Sequence, residues 1–247
     1  MRLTVVGCGD AFGSGGRFNT CFHLEAAGKV FLIDCGASTH VALHARGIDP
    51  NTIDAIILSH LHGDHFGGIP FLLLHGQFLS PRERPLLIAG PPGATERINA
   101  VIEVFFPRSS KNKWRFPWSV TEIPVGAPTD VLGLNVMSAE VIHFSGAPST
   151  ALRISDGAKT FSYSGDTQWT EALLPIASGA DLFVVECYDY DRDLTGHLNW
   201  MTIKQRHKDF NARRVMLTHM NPTMLAKAEE AKAAGVLVAE DGLALDL

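Results

Sequence analysis

Five apolar runs of this chain each end in a carboxylate or an imidazole. Asp34 ends VFLID, His60 ends AIILSH, and Asp166, Glu186 and His219 end FSYSGD, LFVVE and VMLTH. Short runs that are rich in β-branched residues and bounded by turn residues are typical of buried strands. In an α/β sheet, ligands bind at the edge formed by the carboxyl ends of the strands. The pattern therefore predicts one site at one sheet edge.

The rest of the pattern alternates between strands and helices. Strands are expected at residues 3–7, 20–26, 30–34, 55–60, 86–90, 138–144, 161–166, 182–186 and 215–219. Helices are expected around 37–46, 67–78, 94–105, 169–178, 200–209 and 223–233, with GVLVAEDGLALDL as a closing hairpin. The two halves of the chain echo each other. This order predicts an α/β fold, an αββα sandwich of two mixed β-sheets flanked by helices, with residues 1–247 as one domain.

The stretch SHLHGDHFGG concentrates His60, His62, Asp64 and His65 within six positions. Imidazole nitrogen and carboxylate oxygen suit borderline metals such as zinc. The adjacent Asp64 and His65 cannot easily join the first two histidines on one tetrahedral ion, so the spacing favours two ions. Gly63 is expected to let the backbone turn between His62 and Asp64, and Gly67 and Gly68 are expected to allow close packing of the next helix.

At these motifs the chain resembles the metallo-β-lactamase fold hydrolases, because HLHGDH matches their HxHxDH signature. The later motifs of that superfamily follow in order, with His143 in VIHFSG, Asp166 in YSGDT and His219 in LTHMNP. FLIDCG resembles the second-strand motif. The resemblance spans residues 3–247 and implies the fold of that superfamily.

The resemblance also implies two divalent metal ions, with zinc expected first and manganese or iron as alternatives. The implied ligands are His60, His62 and His143 for the first ion, Asp64, His65 and His219 for the second, and Asp166 as a bridge. Two divalent cations, two carboxylates and a bridging hydroxide would leave a net positive charge, which stabilises an anionic transition state. Asp34 is expected to orient a ligand histidine, with a turn or helix cap as the alternative.

Within the superfamily, SHLHGDHFGG, YSGDT and GHLNW most resemble the ribonuclease Z-like and phosphodiesterase branch. Three departures argue against tRNA processing. His143 and Asp166 are only 23 positions apart, which leaves no room for the tRNA-gripping arm of that branch. THMNPTM lacks the arginine and tyrosine that often follow its histidine, and VECY keeps Glu186 of the HEAT motif but not the histidine. The net charge of −5 also disfavours a nucleic-acid partner.

The expected function is therefore a binuclear metal-dependent hydrolase, most of all a phosphodiesterase that uses a metal-bridging hydroxide as nucleophile. A thioester, lactone or sulfate-ester hydrolase with the same metal pair is the alternative. A tRNA 3′-processing endonuclease and a non-catalytic binding protein are less favoured. Asp64, His197 and Glu186 are the expected catalytic residues. The resemblance puts the histidine of TGHLNW near the leaving group, and Glu186 would favour its charged form; a helix-entry histidine bonded to backbone is the alternative.

Three other features carry weaker signals. Residues 105–118 mix cations with aromatic side chains and are read either as a substrate lid or as a basic surface loop whose aromatics fill the core. His40 and His44 lie four apart on a predicted helix and could share a metal. No third ligand is evident, so a solvated helix face is favoured, and His75 is interpreted as structural.

The expected partner is a small anionic ester substrate, with a homodimer left open. No apolar run approaches the roughly 20 residues that span a bilayer, and no membrane partner is expected. The first residues, MRLTVVGCGDAFGSGG, do not form a secretory signal. A cytoplasmic location with reduced, mostly buried cysteines is expected.

Overall fold

The computed structural model describes residues 1–80 and 82–247, whose strands form two seven-stranded sheets. The strands are β1 (Arg2–Gly7), β2 (Cys21–Ala26), β3 (Lys29–Ile33), β4 (Ala55–Ile57), β5 (Leu86–Gly90), β6 (Trp118–Glu122), β7 (Thr129–Val131), β8 (Leu134–Glu140), β9 (Thr150–Ser155), β10 (Thr160–Tyr163), β11 (Leu182–Glu186), β12 (Val215–Thr218), β13 (Leu237–Val238) and β14 (Ala244–Asp246). The helices are α1 (Thr39–Ala45), α2 (Gly63–Phe66), α3 (Ile69–Leu74), α4 (Ala94–Phe105), α5 (Leu173–Ala177), α6 (Trp200–Arg206), α7 (Pro222–Leu225) and α8 (Ala228–Ala233). Short 3-10 turns cover Ser14–Gly16, Pro50–Thr52 and Ser109–Lys111, and a π-helical turn covers His75–Leu79.

The two sheets repeat one arrangement. The first has the order β14-β1-β2-β3-β4-β5-β6, and the second has the order β13-β12-β11-β10-β9-β8-β7. In each sheet one half pairs antiparallel, and the other half, β3 to β6 or β10 to β13, pairs parallel. The internal echo seen in the sequence is therefore a repeat of sheet topology.

The sheets pack face to face through an apolar core. Phe22 of the first sheet lies 5.9 Å from the ring of Phe161 and 5.4 Å from that of Tyr163 in the second. Helices α1, α3 and α4 cover the outer face of the first sheet, and α5 to α8 cover that of the second. The predicted αββα sandwich of two mixed sheets is confirmed.

Several predicted elements differ from the structure. The closing hairpin is wrong, because β13 pairs with β12 in the second sheet and β14 pairs with β1 in the first. The strand predicted at 138–144 ends at Glu140, and β6, β7 and β9 were not predicted. Alternating polarity predicts a half-buried strand but does not show which strand it pairs with. Short edge strands contain too few buried positions to be recognised by their hydrophobic pattern.

All four cysteines are buried and unpaired in the described structure, as predicted. No helix among the described residues is long and apolar enough to cross a membrane.

Close backbone packing joins the end of β3 to the histidine-rich loop. A Cβ atom added at Gly36 would lie 1.9 Å from the carbonyl oxygen of Asp64, and one added at Gly68 would lie 2.2 Å from that of Gly36. The packing predicted for the final glycines is thus present. Gly63 differs from the prediction, because it begins α2 with an ordinary φ and its Cβ position is open.

We expect Gly36→Ala to lower the free energy of unfolding by about 1–3 kcal/mol or more, because backbone atoms must move apart to admit the methyl group. It should also displace Asp64 and reduce the hydrolase activity that the sequence leads us to expect. Gly63→Ala is the matched control and should fold and work like the wild type, since alanine favours a helix over glycine. Urea unfolding and activity assays measure both. Equal behaviour of the two variants would contradict the packing argument.

Candidate metal centre

The polar groups that end the five strands join one connected network. Asp34 contacts His65 at 2.7 Å, and His65 lies 3.3 Å from Asp166. Asp166 lies 3.3 Å from His219. Glu186 contacts His197, whose ring stacks on that of His219 at 5.7 Å. The polar strand ends therefore meet in one place, as the sequence predicts. They belong to two sheets, however, with β3 and β4 in the first and β10, β11 and β12 in the second, so the single sheet edge predicted from the sequence is instead a junction of two sheets.

Bends in the backbone direct the strand ends into the site. Asp34, directly after β3, has φ 61°, and His219, directly after β12, has φ 62°. Gly165, after β10, has φ 58° and precedes Asp166. Residues other than glycine rarely adopt this left-handed conformation, which costs on the order of 1–3 kcal/mol and occurs most often at functional sites.

One group of potential ligand atoms belongs to His60, His62 and His143, which lie within 4.8 Å of one another. Nδ1 of His62 is 2.9 Å from Nε2 of His143. The other nitrogen of His143, Nδ1, donates to the carbonyl oxygen of Gly196 at 2.8 Å. That bond orients the ring and leaves Nε2 facing the other two histidines.

A second group belongs to Asp64, His65, Asp166 and His219. Nε2 of His65 lies 3.1 Å from Oδ2 of Asp64 and 3.3 Å from Oδ2 of Asp166. Nε2 of His219 lies 3.3 Å from each of those oxygens. Two ligands on a tetrahedral zinc ion with bonds of about 2.0–2.1 Å are about 3.3 Å apart, so this spacing fits one ion.

Asp166 lies between the two groups. Its Oδ2 atom is 3.3 Å from Nε2 of both His65 and His219, and 3.9 Å from Nε2 of both His60 and His143. Of the candidate ligands in the described structure, it is therefore the carboxylate that both groups approach.

The atoms that face the centre of the cluster fit divalent cations. Among the described residues, Nε2 of His60, Nε2 of His65 and Oδ1 of Asp166 are buried without a hydrogen-bond partner. Polar atoms buried in this way are costly unless a partner such as a metal satisfies them. Imidazole and carboxylate donors are those that zinc-like metals bind.

The protonation states of His60 and Asp64 also favour metal binding. Burial, with the neighbouring His65, holds the pKa of His60 well below its usual range, so the ring is neutral at pH 7. Burial alone would raise the pKa of Asp64, but His65 and His219 outweigh it and hold that pKa well below the ordinary value. Metals bind neutral imidazoles and ionised carboxylates, which these residues supply.

Asp34 holds the histidine-rich loop by three hydrogen bonds. Its buried carboxylate accepts from the backbone N–H of Ser59, from the Ser59 hydroxyl and from Nδ1 of His65, each at 2.7 Å. Because the hydroxyl hydrogen points to Asp34, Nδ1–H of His60 donates to the Ser59 oxygen at 3.0 Å. Both rings are thereby set with Nε2 free for a metal. Asp34 takes the orienting role expected from the sequence.

His197 and Glu186 form an ion pair beside the cluster. Nδ1 of His197 donates to Oε1 of Glu186 at 3.0 Å. Burial alone would lower the pKa of His197, but the hydrogen bond and charge of Glu186 outweigh it and raise the pKa to about 9. Glu186 is fully buried and also accepts from the backbone N–H groups of Thr167 and Tyr188. These contacts place Glu186 beneath His197, and the catalytic role expected for it from the sequence stays a prediction.

Three contributors to the site were missed at the sequence level. Ser59 links Asp34 to His60 through two hydrogen bonds. Its position directly before HLHGDH was the sequence signal that could have revealed this role. The Gln168 side chain accepts from the backbone N–H of Gly196 at 3.1 Å. The Tyr188 ring lies 4.8 Å from that of His197. No sequence pattern marks these last two, because both act through contacts between distant segments.

Two cavities open beside the cluster. One of about 350 Å³ is lined by His197 together with Gln168, Trp169 and Asn199. The other, of about 540 Å³, is lined by His143 with Ile142 and Phe144. Phe144 is 89% exposed, which is unusual for a large apolar side chain. A small molecule in the second cavity would meet an apolar wall next to the metal ligands.

The contacts of residues 105–118, the candidate substrate lid, lie on the outer side of the first sheet. Trp114 and Phe116 pack into the core on the outer face of the first sheet, and Arg108 and Lys111 line a cavity with Leu74 and Phe78. The segment follows α4, whose 12 residues make it about 18 Å long. It is the amino-terminal end of α4 that approaches the histidine-rich loop, where the Arg97 side chain donates to the Leu61 carbonyl. These contacts favour the surface-loop interpretation over a lid.

Comparisons with known proteins identify a matching family and a similar metallo-hydrolase. Residues 1–241 match the model of the family described as Anti-Pycsar protein Apyc1. The probable metallo-hydrolase YhfI of Bacillus subtilis (strain 168) is 28% identical over 228 residues, covering 89% of this chain and 87% of that protein. The crystal structure of YhfI, a metallo-β-lactamase fold protein, matches with a TM-score of 0.81 and 24% identity over 99% of this chain and 98% of that chain.

Two further relatives are enzymes by their names. A ribonuclease Z of Mycobacterium sp. (strain KMS) is 28% identical over 195 residues, covering 74% of this chain and 67% of that protein. The crystal structure of a diphosphatase from the PhnP family has a TM-score of 0.79 and 19% identity, covering 100% of this chain and 97% of that chain. The structural matches confirm the metallo-β-lactamase fold.

Proposed function

Because the chain belongs to the family described as Anti-Pycsar protein Apyc1 and is a metallo-β-lactamase fold hydrolase related to ribonuclease Z, we propose that it hydrolyses a small phosphodiester with two metal ions. The observation that carries the proposal is the position of Asp166. Its carboxylate lies between two groups of ligand atoms, and the paired imidazole of His197 lies beside them.

We assign the ligands as follows. His60, His62 and His143 would hold one ion, Asp64, His65 and His219 would hold a second, and the carboxylate of Asp166 would serve both. Bound at this position, two divalent ions would lower the pKa of a coordinated water toward about 7 and neutralise charge on a phosphoryl oxygen. Zinc suits the donor set best, with manganese or iron as alternatives. Asp64 contributes to the reaction as a ligand, which is a narrower role than that of a proton-transfer residue.

His197 supplies the proton for the leaving group. Its Nδ1 is occupied by Glu186, so Nε2 is the atom that can donate to the departing oxygen. Breaking a phosphoester bond leaves negative charge on that oxygen, and an imidazolium within reach stabilises and protonates it, an effect of about 10²–10⁴-fold. Glu186 favours the charged form of the ring.

The interval between His143 and Asp166 supports a small substrate. The hairpin of β9 and β10 fills this interval, so no projecting arm arises there to grip a tRNA. The two cavities beside the cluster have the size of small-molecule sites. Ile142 and Phe144 favour an ester that carries an apolar or aromatic group, and the net charge of −5 disfavours nucleic acid.

Location and assembly rest on the sequence. The four unpaired cysteines support a reducing compartment, and we infer a cytoplasmic location from them. A homodimer stays a prediction.

The metal count tests the ligand assignment. After loading and extensive dialysis, elemental analysis should find about two ions per chain. Asp166→Ala should lose both ions, since both groups face that carboxylate, whereas His143→Ala should weaken one. His207→Ala is the control, because the ring of His207, directly after α6, bonds to the carbonyl of Lys204 in that helix. No more than one ion in the dialysed wild type would refute the paired site.

A substrate panel tests the reaction class. We expect hydrolysis of bis-p-nitrophenyl phosphate to exceed that of thioester, lactone and sulfate-ester substrates, because the paired cations suit a phosphoryl centre. We expect no tRNA 3′-end cleavage at physiological salt. Initial rates on metal-analysed protein give the comparison. Faster turnover of another ester class, or efficient tRNA cleavage, would replace the proposed substrate.

Substitution of His197 tests proton donation. His197→Ala should keep both ions and lower kcat by about 10²–10⁴-fold on a diester with a poor leaving group such as phenol. The loss should shrink with p-nitrophenol, which departs without a proton. Glu186→Gln should show a smaller loss in the same direction, because a neutral amide still orients the ring. Full turnover of the phenyl ester by His197→Ala would remove His197 from the mechanism.

A further inference from the structure

Three histidines form a second cluster outside the catalytic centre. His40 and His44 lie on one face of α1, and His75 directly follows α3. Nε2 of His40 and Nε2 of His44 are 3.2 Å apart, and the ring centroids of the three residues are 4.7 to 5.2 Å apart. The structure thus brings a third imidazole, that of His75, against His40 and His44, which the sequence did not reveal.

The spacing within this cluster is that of a metal site. One ligand atom from each ring lies within 4.8 Å of the others, the same limit that holds for the catalytic groups. Two nitrogens bound to one tetrahedral zinc at about 2.0–2.1 Å are about 3.3 Å apart, close to the 3.2 Å between His40 and His44. Two histidines four apart on a helix are a known zinc-binding arrangement.

Hydrogen bonding does not account for all three rings. One imidazole can donate to another, which would satisfy His40 and His44 as a pair. Nδ1 of His75 is nevertheless buried without a hydrogen-bond partner among the described residues. Burial and the neighbouring rings lower the pKa of His40 to about 4 and also lower that of His75. The two rings are therefore neutral at pH 7, which is the form that binds metals.

The surroundings hold the cluster in place and offer a counter-charge. Gln77 fixes the turn after His75, because its side chain donates to the Lys113 carbonyl at 3.2 Å and accepts from the backbone N–H of Arg115 at 2.8 Å. A cavity of about 330 Å³ adjoins His44 and His75 and is also lined by Asp49. The carboxylate of Asp49 would offset part of the charge of a bound cation.

We propose that His40, His44 and His75 form a third metal site, which binds one borderline divalent cation such as zinc through three imidazoles. Water or Asp49 would complete the coordination. Imidazole ligands favour zinc, nickel and copper over magnesium and calcium, which prefer oxygen. The site shares no ligand with the catalytic centre, so it does not depend on the proposed reaction.

A cation at this site would join two helices that begin next to the catalytic centre. α1 follows Asp34, and α3 follows the loop that carries His60 to His65. His44 lies in the last turn of α1, and His75 lies just past the end of α3. A ligand that binds only the folded chain raises its stability by RT ln(1 + L/Kd), where L is the free ligand concentration. The site would therefore stabilise the scaffold of the histidine-rich loop from its outer side.

The test begins with untagged full-length protein whose catalytic ions have been loaded and whose loosely bound metal has been removed by dialysis. Zinc is then titrated into the protein by calorimetry, and the metal content and thermal unfolding midpoint are measured. Wild type should bind one additional ion and unfold at a higher temperature with zinc. His44→Ala should bind that ion at least about 10-fold more weakly, since losing a ligand costs no less than losing a hydrogen-bond partner of a ligand.

Two variants sharpen the result. His75→Ala should behave like His44→Ala, and the exposed position of His44 ensures that at least one variant folds normally. His207→Ala is the matched control and should bind the added ion like the wild type. Both His44→Ala and His207→Ala should keep the catalytic ions and the hydrolase activity. Equal zinc affinity in His44→Ala and wild type would overturn the proposal, whatever substrate the enzyme hydrolyses.

Discussion

The carboxylate of Asp34 is the interaction on which the geometry of the site depends. It is fully buried at a left-handed position after β3, and it accepts hydrogen bonds from Ser59 and His65. The loop that carries the first four proposed ligands follows β4 and lies outside the strands of the described structure. Hydrogen bonds to a buried charge are strong because the local dielectric is low. Asp34 therefore fixes the loop that the catalytic chemistry needs.

The cluster forms only because two sheets meet. The loop after β4 brings His60, His62, Asp64 and His65 from the first sheet, and the second sheet supplies the remaining proposed ligands, His143, Asp166 and His219. The apolar core between the sheets, with Phe22 against Phe161, sets the distance between these loops. Buried carboxylates and unpartnered imidazoles at this junction make it unfavourable unless cations join them. Folding energy from the core thus holds together groups that would otherwise separate.

The shared αββα scaffold explains why this chain is similar to proteins as different as a ribonuclease Z and a PhnP-family diphosphatase. The αββα sandwich presents a common edge, and the segments between the ligands vary without disturbing it. Here the hairpin of β9 and β10 closes the interval before Asp166, while Ile142 and Phe144 leave an apolar wall beside His143. On the outer side, α1 and α3 carry the chain away from the loop to the cluster of His40, His44 and His75. Both clusters therefore depend on the same two helices.

The sequence by itself determined the fold class and singled out the polar residues that the structure brings together. Polar residues that end apolar runs, together with HLHGDH, are local patterns. Such patterns can be recognised from the order of the residues alone. The roles of Ser59 and Gln168, the burial of Glu186 beneath His197 and the separation of β13 from β14 were decided only by the tertiary structure. So was the meeting of His75 with His40 and His44, which lie more than thirty positions away. Contacts of that separation depend on how helices pack on a sheet, and no periodicity within one segment records which distant segment it will touch.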